Sequence, residues 1–141
     1  MSWDSYVANL MARTGVDDAA ILGLDPPSVW ASNAGGKFAS ITAQEIQALA
    51  QSENCRKRFM AEGITLGGGK CTVLRDSLDM DQDFTMDIRT KACPDDPSTY
   101  SICIAKSQKA LVIVRAKKDV HGGMVNPYAH EIAKYLRKSG Y

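Results

Sequence analysis

The chain has 141 residues, 45% of them hydrophobic and 23% charged, with a net charge of +1. That length makes one domain, residues 1–141, with room for a real core and the composition of an ordinary globule. The charge balance gives no global attraction to nucleic acid or a membrane, and no apolar run is long enough to span a bilayer.

Residues 1–15 read as an amphipathic helix capped by Ser2 and stopped by Gly15, with Trp3 and Tyr6 on one face beside Val7, Leu10 and Met11. Residues 19–24 and 28–32 read as strands around the Asp25-Pro-Pro27 turn, the second carrying Trp30. After Gly35-Gly36, Thr42-Ala-Gln-Glu45 is a capping box that opens a short helix through Ile46, Leu49 and Ala50. Cys55-Arg-Lys-Arg-Phe59 fits either a short helix or a basic loop. Residues 64–66 and 71–74 flank Gly67-Gly-Gly69 as a hairpin.

In residues 84–91, Phe84, Met86 and Ile88 alternate with Thr85, Asp87, Arg89 and Lys91, and residues 100–104 alternate too. Residues 110–114 are apolar on both faces, which predicts a central strand covered on both sides. A last helix is expected from Asn126, able to accept from free amides, and Pro127, suited to the first helical position. It runs to a left-handed stop at Gly140, with Tyr128, Ile132, Tyr135 and Leu136 on one face. The class is α+β: a central antiparallel sheet with both terminal helices on one face and short helices on the other.

Antiparallel terminal helices bring Trp3, Tyr6, Tyr135 and Tyr141 together. Tyr141 lies beyond the helix stop, where chain ends are usually polar, so it needs a neighbour. The four make either part of the core or, as their place at the two chain ends suits better, an aromatic groove for a polyproline II segment, which is already stiff and loses little entropy on docking.

Signs of an enzyme fail one by one. Gly67-Gly-Gly-Lys70 resembles the end of a phosphate-binding loop, but Ile64 and Cys71 stand where that loop needs Gly and Ser or Thr. His121-Gly-Gly123 has no accompanying Gly-x-Ser-x-Gly elbow. Nothing in the sequence sets Cys71 or Cys103 beside His121, and two histidines nine residues apart make a poor metal site. The N-terminal stretch lacks the pattern of a secretory signal, and the four cysteines, Cys55, Cys71, Cys93 and Cys103, lack close-pair spacing. They are expected to be reduced cytosolic thiols. No catalytic residue, metal or cofactor is expected.

Lys70, Arg75, Arg89, Lys91, Arg115, Lys117 and Lys118 fall mostly on or beside strands. They make either a solvated sheet face or a basic surface for an acidic protein or phosphoinositide head groups. Lys70 and Arg75 have opposite strand parity, so only a bulge or a strand end puts both on one face.

The stretches Trp3-Asp-Ser-Tyr6, Pro27-Ser-Val-Trp-Ala31, Leu66-Gly-Gly-Gly-Lys-Cys-Thr-Val-Leu-Arg-Asp-Ser-Leu78, Met86-Asp-Ile-Arg-Thr-Lys91 and Val120-His-Gly-Gly123 carry a family resemblance. With the closing Tyr-Leu-Arg-Lys-Ser-Gly-Tyr141, the chain resembles a vertebrate-type profilin from end to end. The resemblance implies the profilin fold and binding of monomeric actin, proline-rich proteins of actin assembly, and phosphatidylinositol 4,5-bisphosphate at the membrane surface.

By position, the resemblance assigns the proline groove to Trp3, Tyr6, Trp30, Tyr135, Leu136 and Tyr141; Trp30 is one that spacing did not supply. It assigns the actin face to Phe59, Lys70, Thr72, Arg75, Arg89, Lys91, His121, Gly123, Asn126 and Glu131. The lipid falls to Arg89 and Lys91, so lipid and actin are expected to compete. Tyr135 stands where many relatives carry His, Pro127 where Lys is frequent, and Met60 and Ala61 depart from the usual pattern. The implied role is a non-enzymatic actin-monomer adaptor of the cytoplasm and cytoskeleton that regulates nucleotide exchange and filament assembly. The alternative is a phosphoinositide-binding membrane-surface module with actin secondary.

Overall fold

The computed structural model describes residues 2–141; the helix position expected at Met1 lies outside them. Helix α1 (Trp3–Met11) starts at Ser2, whose hydroxyl accepts from the Ser5 amide at 3.2 Å. It closes at Ala12, before Gly15. Gly15, at φ +84°, turns the chain into strand β1 (Val16–Leu24), which begins ahead of the expected residue 19.

Strand β2 (Pro27–Ser32) returns antiparallel. A 3₁₀ turn at Lys37–Ser40, which no periodicity announces, is held by a long-range contact. The Asp18 carboxylate accepts from the Lys37 amide at 2.9 Å, and a Cβ on Gly36 would fall 2.4 Å from Asp18 Oδ1. Helix α2 (Ala43–Ala50) opens on the expected capping box, Thr42 and Glu45 each accepting from the other's amide.

The ambiguous basic stretch resolves into two single-turn helices, α3 (Glu53–Arg56) and α4 (Phe59–Glu62). Arg56 is fully buried, its charge matched by Asp76 at 2.9 Å and Asp79 at 3.0 Å. Then follow β3 (Ile64–Leu66), β4 (Gly69–Ser77), β5 (Thr85–Thr90), β6 (Ser101–Lys106), β7 (Ala110–Ala116) and α5 (Gly122–Lys138).

The described residues form one seven-stranded antiparallel sheet in the order β2-β1-β7-β6-β5-β4-β3. Its two faces are packed differently. Under α1 and α5 it presents Ala19, Cys103, Ala105, Ala110 and Ala116, met by Ala129 and Ala133 of α5. Short side chains on both sides permit a close approach of helix to sheet. The opposite face carries Leu22, Ile88, Ile104, Leu111 and Ile113 beneath Phe38, Ile46 and Leu49. Strand β7, buried along its whole length, is the central strand that its apolar run predicts.

Three expectations are corrected. Helix α5 begins at Gly122, not at Asn126: His121 caps it, Nδ1 accepting from the Gly123 amide at 2.9 Å. The glycine pair hides this start, because glycine is a poor helix former. Asn126 is inside the helix and donates to Asp87 at 2.9 Å, and Pro127 is likewise internal. The buried stripe of α5 runs through Val125, Ala129, Ile132, Ala133 and Leu136, which leaves Tyr135 off it and Tyr128 only partly buried at its edge. Phe84 also leaves the expected alternation. At φ +52° it precedes β5, and its ring lies 3.9 Å from the Arg137 guanidinium carbon.

Candidate functional site

The start of α1 meets the end of α5, as an antiparallel arrangement requires. The Trp3 ring centroid lies 4.6 Å from Trp30, 5.7 Å from Tyr6 and 5.2 Å from Tyr141, the last edge-on at 88°. Tyr6 continues the row to Tyr135 at 6.1 Å. Such pairs contribute about 0.5–1.5 kcal/mol each beyond the area they bury.

Trp30 reaches the cluster through local backbone detail. The β1–β2 register shifts between Ile21–Ala31 and Leu22–Val29, which leaves Trp30 as the extra residue of a bulge. Its indole lies against Gly23, where a Cβ would sit 2.1 Å from Nε1. No periodicity signals this; glycine at 23 is the one trace of it in the sequence.

Tyr141 is anchored at its backbone. Its amide donates to the Leu136 carbonyl at 2.8 Å and the Gly140 amide to Arg137 at 3.3 Å, a Schellman closure with Gly140 at φ +92°. Its carbonyl accepts from Ser107 Oγ at 2.7 Å and from the Lys109 amide, so the β6–β7 turn holds the ring in place.

The members differ in what they offer. Tyr135 is 51% exposed and Tyr141 44%, Trp3 and Trp30 are half-buried, and Tyr6 is 9% exposed. Burial, and then the neighbouring Tyr135, raises the Tyr6 phenol above its ordinary pKa. Leu136, at 1% exposed, lies beneath the rings as support and presents no surface.

A groove of about 380 Å³ lies at the other end of α5, where β4, β5 and β6 meet the helix start. Here β4 carries a bulge, one of the two ways its strand parity allowed. The register shifts between Val73 and Arg75, so Leu74 is extra and is 54% exposed. Arg75 pairs with Asp87 at 2.8 Å and Asp83 at 2.9 Å, and Asp87 also accepts from Asn126. Arg89 donates to Thr99 at 2.8 Å and Ser101 at 2.9 Å. Arg75, Arg89, His121, Gly123 and Asn126 therefore share one groove, and Thr72 faces Arg89 across the strands. Leu74, Asp87 and Ser101 are members that sequence reasoning missed; the bulge and the paired hydroxyls leave no periodic signal.

The remaining expected residues lie around this groove. Lys70, Lys91 and the 7%-exposed Phe59 line a second recess beside α4. Glu131 lies further along α5 and closes a bidentate pair with Arg13 of α1 at 2.8 and 3.2 Å, which holds its carboxyl below the usual range. Lys91 and Arg89 thus line different recesses, and Arg115, expected in a basic surface, is only 9% exposed. All four cysteines are free, and burial pushes the Cys71 thiol up to about 11. Among the described residues no cluster of His, Cys, Asp and Glu is arranged to hold a metal ion, and no helix is long and apolar enough to cross a membrane.

The profilin family model matches residues 1–141. The chain is 48% identical to profilin-2 of Rattus norvegicus over 140 residues, covering 99% of this chain and 98% of the relative. Among solved structures it resembles mouse profilin IIa in complex with a double repeat from the FH1 domain of mDia1, with TM-score 0.93, 46% identity and full coverage of both chains. It also shares the fold of LokiProfilin1, solved in complex with rabbit actin, at TM-score 0.71 and 12% identity, covering 98% and 97% of the two chains.

Proposed function

The chain belongs to the profilin family, and on that premise we propose that it is a non-enzymatic adaptor that holds monomeric actin on one face and a proline-rich segment on another. It works in the cytoplasm at the cytoskeleton, governing actin nucleotide exchange and delivering monomers to proline-rich assembly factors. The observation that carries this reading is the separation of two unlike surfaces along α5. Aromatic rings in tilted and edge-on contact lie at its C-terminal end, and a groove bordered by paired polar side chains lies at its N-terminal end.

Trp3, Trp30, Tyr135 and Tyr141, with Tyr6 behind them, take the proline-rich segment, and Leu136 supports them. The rings offer flat apolar faces to a polyproline II helix, as expected of a relative of a profilin solved with FH1 repeats. Thr72, Arg75, Arg89, His121, Gly123 and Asn126 form the centre of the actin face, with Phe59, Lys70, Lys91 and Glu131 towards its margin. Arg89 and Lys91 have no carboxylate partner among the described ion pairs, which suits them to phosphatidylinositol 4,5-bisphosphate.

From Asn126 to Tyr135 a helix rises about 13 Å, far enough for substitutions without shared partners to act independently. Tyr135→Ala, at an exposed position, is expected to lose retention on immobilised polyproline while pulling down actin normally. His121→Glu is expected to do the reverse. If either folded variant lost both activities, the two-face reading would fail.

A further inference from the structure

We infer that residues 79–84, between β4 and β5, form a strap held by His130 and Arg137 of α5, and that these two are positioning residues for Arg75. On the actin assignment above, on which this step rests, they set the groove at the helix start before its partner arrives.

The strap does not hold its shape by itself. Gln82 sits at φ +72° and Phe84 at φ +52°, left-handed conformations that residues with a Cβ adopt at a cost. Its apolar side chains return little: Met80 is 56% exposed, and Phe84 belongs to neither apolar core cluster. Strand β6 ties the two ends, Lys106 Nζ pairing with Asp79 at 3.0 Å and the Lys106 amide donating to the Phe84 carbonyl at 2.8 Å. Helix α5 bridges to the rest. The Gln82 carbonyl can only accept, so His130 Nε2, 3.1 Å away, carries the proton. About two turns further on, the Arg137 guanidinium carbon lies 3.9 Å from the Phe84 ring centroid, and Arg137 also donates to the Lys106 carbonyl. A cleft of about 220 Å³ remains between strap and helix, lined by Asp81 and Gln82 on one side and Lys134 and Lys138 on the other. The two are bridged, not packed.

What the strap fixes is Arg75. Its guanidinium has three acceptors: Asp87 at 2.8 Å, Asp83 at 2.9 Å and the Thr85 hydroxyl at 2.6 Å. Asp87 and Thr85 belong to β5 and are held by the sheet, but Asp83 belongs to the strap. Asp83 lies between Gln82, bonded to His130, and Phe84, covered by Arg137; these neighbours are the two left-handed residues. Neither His130 nor Arg137 lines the groove that contains Arg75, so their influence on it passes through Asp83.

The test is a mutant cycle on the full chain. It reads affinity for monomeric actin and hydrogen exchange at the Asp83 and Phe84 amides, both bonded to the Met80 carbonyl. His130→Ala is expected to weaken actin binding about fivefold and to speed that exchange about tenfold, with polyproline retention unchanged. His130→Gln restores an N–H donor and is expected to return both readouts to within about twofold of wild type; His130→Phe restores only bulk and is not. In an Asp83→Asn background, His130→Ala is expected to add no further loss of actin affinity. An equal loss in both backgrounds would make His130 a direct contact and overturn the strap. So would unaltered exchange in His130→Ala, or equal behaviour of the Gln and Phe variants. The exchange arm needs no actin. If the wild type binds none, the adaptor reading fails and exchange still decides the strap; if it binds actin and His130→Ala moves neither readout, the strap fails alone.

Discussion

The two ends of α5 are built on opposite principles. At the C-terminal end the rings contact one another, and much of their area, on Tyr135 and Tyr141 above all, still faces water. At the N-terminal end nearly every polar side chain already has an internal partner: Arg75 with Asp83 and Asp87, Asn126 with Asp87, Arg89 with Thr99 and Ser101. The first surface gains by being covered, because covering it removes apolar area from water at little cost in ordering. The second is fixed before any partner arrives. It contributes register, specificity and electrostatic steering more than raw affinity. One end should therefore bind with little dependence on salt, and the other with strong dependence.

Trp3→Ala gives the largest expected effect, because that ring contacts Trp30, Tyr6 and Tyr141 at once. Loss of about 2 kcal/mol or more of polyproline affinity is expected, measured by tryptophan fluorescence titration. Full retention by the folded variant would remove the aromatic end from the comparison. Gly23→Ala sharpens the same point without touching a ring. Its Cβ collides with the Trp30 indole, so the ring must lift; about a tenfold loss on polyproline is expected, with actin pull-down unchanged.

At the polar end, His121→Glu should cost about 1.4 kcal/mol in actin affinity and change its salt dependence, read by titration at two ionic strengths. A salt-independent loss would mean that the end acts through shape and not charge. The smallest effect belongs to Glu131→Gln, where an exposed pair with Arg13 joins the two terminal helices. It should change stability by well under 1 kcal/mol. Since the folded carboxyl is held below its ordinary 4.5, the stabilisation is present above that pH and fades as pH falls through the lowered value. Thermal melts from pH 6 to pH 3 would show the wild type and the variant converging.

Features written in neighbouring residues were legible in the sequence. The Thr42–Glu45 capping box, the doubly apolar strand at 110–114 and the meeting of Trp3, Tyr6, Tyr135 and Tyr141 all follow from spacing. So did the choice between a bulge and a strand end for Lys70 and Arg75, which the register shift resolves as a bulge. Trp30 came only through the family resemblance, because its place depends on a bulge and on a glycine in the neighbouring strand. What stayed hidden depends on partners far along the chain. Asp18 folds the 3₁₀ turn, Asp76 and Asp79 make a buried Arg56 tolerable, and Tyr100 holds Arg115 under cover. The start of α5 was hidden for another reason: a histidine side chain, not an Asn-Pro pair, satisfies its first free amides.

The aromatic end draws on residues 3, 6, 30, 135 and 141, and the ring of residue 141 rests edge-on against that of residue 3. On the proposed assignment, the proline-binding surface is completed during synthesis only when the last helix has left the ribosome and docked beside the first. A chain truncated before residue 135 is therefore expected to bind proline-rich segments poorly, whatever its sheet has achieved. A polyproline column is then expected to work as a proofreader, retaining molecules whose two ends have found each other and letting the rest pass.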